Sequence, residues 1–425
     1  MKKPLVAILT LMSLALCSFG QVYRDTLSIG LDSVEARFLR VNLSLTAQHY
    51  NIDIARANTI TARLLDNPDF SFATGFYQPE TGKFFDLSND HREVAMQFDQ
   101  LIRTAGKRNK GIAVARTGEQ MAEAQFYDLF RTLLYTLRND FFTLYYAQRT
   151  QEVYRIEIES LERTANAFAA EVPLGNLPKK DLVRIRSQLY TLQAELAALQ
   201  GNIDDTESEF KLLIRAGGTV YVRPECKLPS DRSTLLDKYG YGSLLDSAYV
   251  HRSDLKLLSL QVKQNEQNLG LQKAMAVPDL TLTGGYDRLG SYVKHFNNVG
   301  LGLSVPLFNR NQGNIKAATA SLSASRTLLD AGRDLVESDV SNAWIGAKRS
   351  EDLLGSIDPS FEGDLQGMID AVTRNYRSRN ISLLEFIDFY DSYKQNVVQL
   401  NALRLDRVSS LEQLNMATGM ILYNK

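Results

Sequence analysis

The chain is written twice, and that duplication constrains its fold more than any other feature. "PDFSFATGFY" at 68–77 lies against "PDLTLTGGYD" at 278–287, with Pro68 on Pro278, Asp69 on Asp279, Phe70 on Leu280, Phe72 on Leu282 and Gly75 on Gly285. In the same order, "LDSV" at 31–34 echoes "LDSA" at 245–248, "NLPKKDL" at 176–182 echoes "NISLLEF" at 380–386, and "LLIRAG" at 212–217 echoes "LNMATG" at 414–419. The spacing between matched segments shrinks steadily along the chain. A duplication followed by small deletions leaves that pattern, and chance matches do not. Whatever one half folds into, the other is expected to repeat.

Each half reads helix, strand, loop, strand, long helix, turn, helix. The cleanest helix is predicted from about Lys179 to Leu213. Its apolar residues fall at Leu182, Ile185, Leu189, Leu192, Leu196, Leu199, Ile203, Phe210 and Leu213, with Thr206 the one polar member. Alternating steps of three and four are the seam of a coiled coil. Phe130, Leu134, Leu137, Phe141 and Leu144 carry a similar register, and Ile315, Leu322, Leu329, Val336 and Ala343 recur every seventh residue. A helix of roughly 60 residues over 109–168 extends about 90 Å. Such helices must lie side by side as hairpins. At the turns, "EVPLGNLP" at 171–178 places Pro178 for the following helix, and Ser382 with Glu385 three residues later forms a capping-box pattern. The predicted organisation is a first repeat over 21–217 with strands at about 68–78 and 92–102, a linker over 218–243, a second repeat over 244–420 with strands at about 278–287 and 298–308, and a tail at 421–425.

The N-terminus predicts export. Lys2 and Lys3 precede the apolar run "LVAILTLMSLALC" and then "SFG", the layout of a signal peptide over 1–20. A lipidated Cys17 would need a small residue before it, where Leu16 stands. Cys226 is then the only mature cysteine, so no intramolecular disulfide is expected. Later in the chain no run is long and apolar enough for a transmembrane helix. An exported chain of this kind is periplasmic, secreted, or a β-barrel in the outer membrane. Lys and Arg number 48 against 49 Asp and Glu, which gives no basic excess and argues against nucleic acid as a partner.

The second strand of the second pair, "VGLGLSVPLF" at 299–308, sets Leu301, Leu303 and Val305 on one side and Gly300, Gly302 and Ser304 on the other. That alternation suits a soluble sandwich with one buried face. By itself it favours that soluble case, since half-buried strands are common, over a membrane barrel with an apolar exterior and a small, polar interior. Context favours the barrel, since the chain is exported and each strand pair interrupts an extended coiled coil. Four strands cannot close a membrane barrel, whose smallest members use eight. Several copies would have to share one. On this reading Leu280, Leu282, Leu301, Leu303 and Val305 face lipid, while Thr281 and Thr283 face the lumen. The loops "QPETGKFFDLSND" at 78–90 and "DRLGSYVKHFN" at 287–297 add Phe84, Phe85, Tyr292 and Phe296, which fit an aromatic girdle or ordinary loop aromatics.

With these features in place the chain resembles the TolC-type outer-membrane efflux protein family over essentially all of 22–420. The resemblance rests on the duplication, the "NPDF" and "VPDL" strand starts, "AGKR" at 105–108, "PLFNRNQGNI" at 306–315, and "LNMATG" near the end. "PLFNRNQG" before an Ala-rich helix is especially similar to the heavy-metal efflux branch. The resemblance implies a mainly α fold with a small transmembrane β part: duplicated helical hairpins forming a periplasmic α-barrel, and four strands per protomer of a homotrimer contributing to one twelve-stranded β-barrel. It implies the exit duct of a tripartite efflux system, a passive conduit for small molecules or metal ions. A periplasmic adaptor and an inner-membrane transporter of the resistance-nodulation-division type would be its partners, beside outer-membrane lipid. Two other readings are the duct of a type I protein secretion system and a soluble periplasmic coiled-coil scaffold.

By the same resemblance, "NYRSRNISLLEFID" carries a periplasmic gate at Tyr376, Glu385 and Asp388, and departs from the family's usual Gly and Arg at Arg379 and Ile381. Glu385 and Asp388 are one helical turn apart, so three-fold symmetry would stack two acidic rings that favour cations. They also suit a solvated helix face, with Glu385 only a cap. Lys179, Lys180, Arg184, Arg374, Arg377 and Arg379 form a basic collar that could seat the adaptor or simply solvate the turns. His49, His91, His251 and His295 have no ligand-like spacing, so no metal site or cofactor is expected. The linker stretch "GGTVYVRPECKLPSD" lacks a phosphate-loop pattern, and no catalytic motif appears, so the chain is not read as an enzyme.

Overall fold

A computed structural model describes residues 25–85, 93–226, 236, 239–290 and 293–422, Arg377 through its backbone alone. The expected signal peptide, Cys17, His91 and Tyr292 lie outside the described residues. In chain order the first half holds β1 (Asp25–Gly30), α1 (Leu31–Val41), α2 (Leu43–Arg63), β2 (Asp69–Thr74), β3 (Tyr77–Gln78), β4 (Lys83–Phe84), β5 (Val94–Ile102), α3 (Lys107–Glu171) and α4 (Lys179–Ile214). There follow β6 (Val220–Glu225), α5 (Tyr241–His251), α6 (Ser253–Met275), β7 (Leu280–Arg288), β8 (Phe296–Leu303), α7 (Gln312–Gly355), α8 (Phe361–Arg377) and α9 (Leu383–Thr418). The chain divides into two compact units, each drawn from both halves of the repeat. One comprises residues up to 44, 130–250 and from 338 on; the other comprises 45–129 and 251–337.

In the first unit the helices pack along their seams. On α4, Leu182, Ile185, Leu189, Leu192, Ile203, Phe210 and Leu213 are buried. One core cluster joins Ile158 and Leu161 of α3, Ile185, Leu189 and Leu192 of α4, Ile369 and Val372 of α8, and Phe386, Ile387 and Tyr390 of α9. Thr206 is not the buried polar member of the α4 seam. Its hydroxyl donates to the Asn202 carbonyl at 2.9 Å, and its neighbour Glu207 goes inside instead. Glu207 accepts the Val222 N–H at 2.5 Å and pairs with Lys211 at 3.2 Å, which satisfies its buried charge.

The expected linker holds a strand. β6 pairs in parallel with β1, from Asp25 opposite Val220 to Gly30 opposite Glu225, and Gln148 donates to the Val222 carbonyl at 2.7 Å. Two further departures concern the helices. The first helix of each half is interrupted at a matched position, Asn42 and Arg252, both in extended backbone. Asn42 uses its amide to reach the Leu213 carbonyl at 3.1 Å. The long helix of the second half is also split, because Gly355 weakens it and Pro359 lacks the N–H that its ladder needs.

The second unit carries the four-stranded sheet, antiparallel in the order β2-β5-β7-β8. β8 stops at Leu303, short of the expected 308, so Val305 lies beyond the strand. Pro306 cannot donate to a ladder, and the Leu307 N–H turns back to the Val305 carbonyl at 3.0 Å. The recurring motifs "AGKR" and "VPDL" meet at the strand-to-helix junction. Ala105 and Gly106 adopt left-handed backbone, φ 51 and 68. That turn presents the Thr104 N–H to Asp279 Oδ1 at 2.8 Å, and the Lys107 ammonium to Asp279 Oδ1 and the Val277 carbonyl, each at 2.7 Å. The twin junction uses Asn311, φ 57, whose amide holds the Gln272 carbonyl at 2.7 Å.

Candidate functional site

The register of the sheet sorts its side chains into two unlike faces. Phe70 and Phe72 of β2 stand opposite Phe98 and Met96 of β5; Phe98 is level with Gly284, and Gly284 with Val299. Leu280 and Leu282 of β7 face Leu303 and Leu301 of β8 on that same side. Its polar members are Gln100, which donates to the Asp66 carbonyl at 3.1 Å, and Thr74, Arg288 and Asn297 toward the loop end. The opposite face holds Ser71, Ala73, Gln97, Asp99, Thr281, Thr283, Gly300 and Gly302, with Leu101 and Phe296 its large apolar exceptions. There Thr283 donates to Asp99 Oδ1 at 2.5 Å and Gln97 to Asp99 Oδ2 at 2.6 Å.

The apolar face lies open, as does much of the polar one. Val299 is 82 % exposed and Leu301 75 %. A soluble sandwich would cover this side and solvate the other. β2 and β8 are edge strands, and among the described residues nothing pairs with their outer rims. Unpaired strand edges beside an uncovered apolar face are what a barrel segment offers before its neighbours join.

At the helical tip, Lys179 and Lys180 open α4, Arg184 follows one turn on, and Arg374 and Arg377 lie at the end of α8; the side chains of the other four are exposed. Arg379 takes left-handed backbone, φ 61, the conformation for which glycine is the usual choice. The departure from the family's Gly therefore falls where the backbone calls for one.

The three expected gate residues are not joined. Tyr376 stacks on Phe386, ring centroids 4.2 Å apart at 20°, and burial, with the charge of Asp181 second, pushes its phenol up to about 12. Glu385 completes the capping box read from the sequence, accepting the Ser382 N–H and hydroxyl at 2.8 Å each. Those bonds hold its carboxyl below the usual glutamate range. Asp388 is exposed one turn later, and among the described residues no hydrogen bond links it or Glu385 to Tyr376. A cavity of about 280 Å³ beside Tyr376 and Phe386 is lined by Ser160, Thr164, Phe168 and Thr373.

Buried charges among the helices carried no expectation. Lys394 of α9 pairs with Glu195 and Asp391 at 3.0 Å each and lies 5.7 Å from the Tyr154 ring centroid. Beside it Glu157 is 3 % exposed, and neither carboxylate oxygen has a hydrogen-bond partner. Burial pushes the Glu157 carboxyl up to about 8; the Lys394 charge opposes this, and Asp391 and Glu195 add to it. A charged residue interrupting a heptad was the available signal, but only packing tells which of many such residues goes inside.

Among the described residues no three His, Cys, Asp or Glu side chains are grouped to hold a metal ion, and no helix is long and apolar enough to cross a membrane. His295 Nδ1 meets the Tyr286 hydroxyl at 2.9 Å, and Cys226 is a half-buried free thiol.

Known proteins share this arrangement. Residues 244–420 match the model of the outer membrane efflux protein family. The cobalt-zinc-cadmium resistance protein CzcC of Cupriavidus metallidurans is 21 % identical over 277 residues, 65 % of this chain and 63 % of CzcC. The match thus spans less than two thirds of that relative's length. Among solved structures, the outer-membrane channel OprN superposes with a TM-score of 0.73 at 15 % identity, covering 92 % of this chain and 89 % of that one. The outer membrane protein VceC of Vibrio cholerae gives 0.72 at 16 %, covering 92 % and 96 %. At such identities the structural likeness speaks to fold, and the fold is that of TolC-type channels.

Proposed function

Residues 244–420 belong to the outer membrane efflux protein family, and from that premise we propose that the chain is the outer-membrane exit duct of a tripartite efflux system. Three copies close one twelve-stranded barrel, edge β2 of each meeting edge β8 of the next, while the helices continue as a periplasmic tube. The duct is a passive conduit and not an enzyme. The observation that carries this reading is the open apolar face of the sheet backed by a small, polar one, which lipid on one side and water on the other would satisfy together. An adaptor at the basic tip and an energised inner-membrane transporter of the resistance-nodulation-division type complete the system. The likeness to CzcC makes divalent metal ions the first cargo to test.

At the tip, Glu385 is occupied by its cap, so the acidic ring of a trimer falls to Asp388, while Tyr376 stays stacked on Phe386. The protein is expected in the detergent-extractable membrane fraction, conducting ions in a planar bilayer, with Asp388→Asn lowering its preference for cations. Recovery in the soluble periplasm without conductance would overturn the duct, and unchanged selectivity would remove Asp388 from the constriction. A deletion strain should gain sensitivity to cobalt, zinc or cadmium. Its rescue should fail when Arg374 and Arg379 are both replaced by Glu, if the collar seats the adaptor; full rescue would discard the collar.

A further inference from the structure

Above the sheet, β3 and β4 form a hairpin whose ring residues pack on one another instead of into a core. Phe76 lies 5.3 Å from Phe84 and 5.2 Å from Phe85 between ring centroids, and Tyr77 lies 5.1 Å from Phe84. All four are exposed, Phe84 to 65 %. The platform is held by backbone. Tyr77 pairs with Phe84 and Gln78 with Lys83, the Phe85 N–H donates to the Phe76 carbonyl at 2.9 Å, and Gly82, φ 66, makes the tight turn with its N–H on the Gln78 carbonyl at 2.9 Å. A rigid cluster of this kind loses little conformational entropy on binding.

We infer that this hairpin is a lipid-facing anchor, docking its aromatic cluster into the headgroup region of the membrane leaflet beyond the sheet. The inference rests on the proposal that the sheet spans the outer membrane. Two observations select lipid as the occupant. The hairpin leaves directly from β2, the strand that carries Phe70 and Phe72 on the open apolar face, with Phe76 two residues past its end. Phe76 keeps the alternate-residue spacing of Phe70 and Phe72 past the last strand residue. Its composition is also that of an interface: aromatic rings throughout, a tyrosine hydroxyl, and Lys83 within the hairpin, where a long aliphatic stem ends in a charge. A surface sunk in hydrocarbon would be free of charge, and this one carries Lys83.

Trp344 is the single tryptophan, so fluorescence can report position. In a Trp344→Phe background, Phe85→Trp and, separately, Leu301→Trp are placed in the full chain. The proteins are inserted into phosphatidylcholine vesicles brominated either near the glycerol or near the chain ends. The Phe85→Trp fluorophore is expected to lose about half its emission to bromine near the glycerol and little to bromine near the chain ends, with Leu301→Trp quenched by deeper bromine. Quenching at 301 but not at 85 overturns the anchor and leaves the membrane sheet intact. Absence of quenching at both overturns the membrane reading and the anchor with it. If Phe85→Trp fails to insert, Tyr77→Trp reads the same platform with the same outcomes.

Discussion

Replacing Arg138 by methionine is expected to destabilise the protein by roughly 3–5 kcal/mol, the cost of leaving a buried charge without its partner. Arg138 is 3 % exposed and Glu412 2 %. The guanidinium holds both Glu412 oxygens, at 2.8 Å from Nε and 2.9 Å from Nη2, and its Nη1 also donates to Glu35. Asn415 adds a bond to Glu412 Oε2 at 3.1 Å. With Arg138 gone, the Asn415 amide is a poor substitute for a bidentate cation. Glu35 is better placed, being only partly buried. Replacing Glu412 by leucine in the same chain should therefore restore most of the loss, because an apolar pair of similar volume carries no desolvation penalty. The apparent Tm of the detergent-solubilised protein separates these cases. A single variant as stable as the parent, or a double variant no better than the single, would show that the pair is not the buried anchor described here.

Glu157→Gln should change how stability depends on pH. In the folded chain the carboxyl is raised from 4.5 to about 8. The unfolded chain therefore releases this proton first. Between those values the folded state binds the extra proton, so stability falls as pH rises across the window and levels off above about 8. The full shift corresponds to a ceiling of about 5 kcal/mol. Glutamine imitates the protonated acid at every pH. The variant should match the parent below the window and exceed it progressively toward the upper end, by several degrees in apparent Tm. Lys394, Asp391, Glu195 and Tyr154 face the group and remain unchanged. A variant that keeps the parent's slope between pH 4.5 and 8 would remove Glu157 as its source.

These two predictions rest on residues that local pattern does not reveal. Arg138 and Glu412 are 274 positions apart, and nothing in the sequence around either announces the other. The seam of α4 was legible because period alone determines which face of a helix is buried. The strands β2, β5, β7 and β8 were legible because alternation and the duplicated Pro-Asp starts agree. Where pattern is short or broken, reading failed. β6 is six residues with Pro224 among them, and only its parallel pairing with β1 makes it a strand. The matched breaks at Asn42 and Arg252 depend on tertiary bonds, such as that of Asn42 to Leu213. Thr206 fits the heptad by position, yet Glu207 is buried because Lys211 and the Val222 N–H await it. At the tip the motif located Tyr376, Glu385 and Asp388 in sequence, while their division between stacking, capping and exposure needed coordinates.

The central claim is that one sheet face meets lipid and the other meets water. Alternate residues of β7 test it directly. In a Cys226→Ser background, Thr281→Cys and Thr283→Cys should react with a membrane-impermeant maleimide in intact membranes, while Leu280→Cys and Leu282→Cys should be protected until detergent is added. Equal labelling of all four, or protection of the threonine positions with labelling of the leucine ones, would contradict the account.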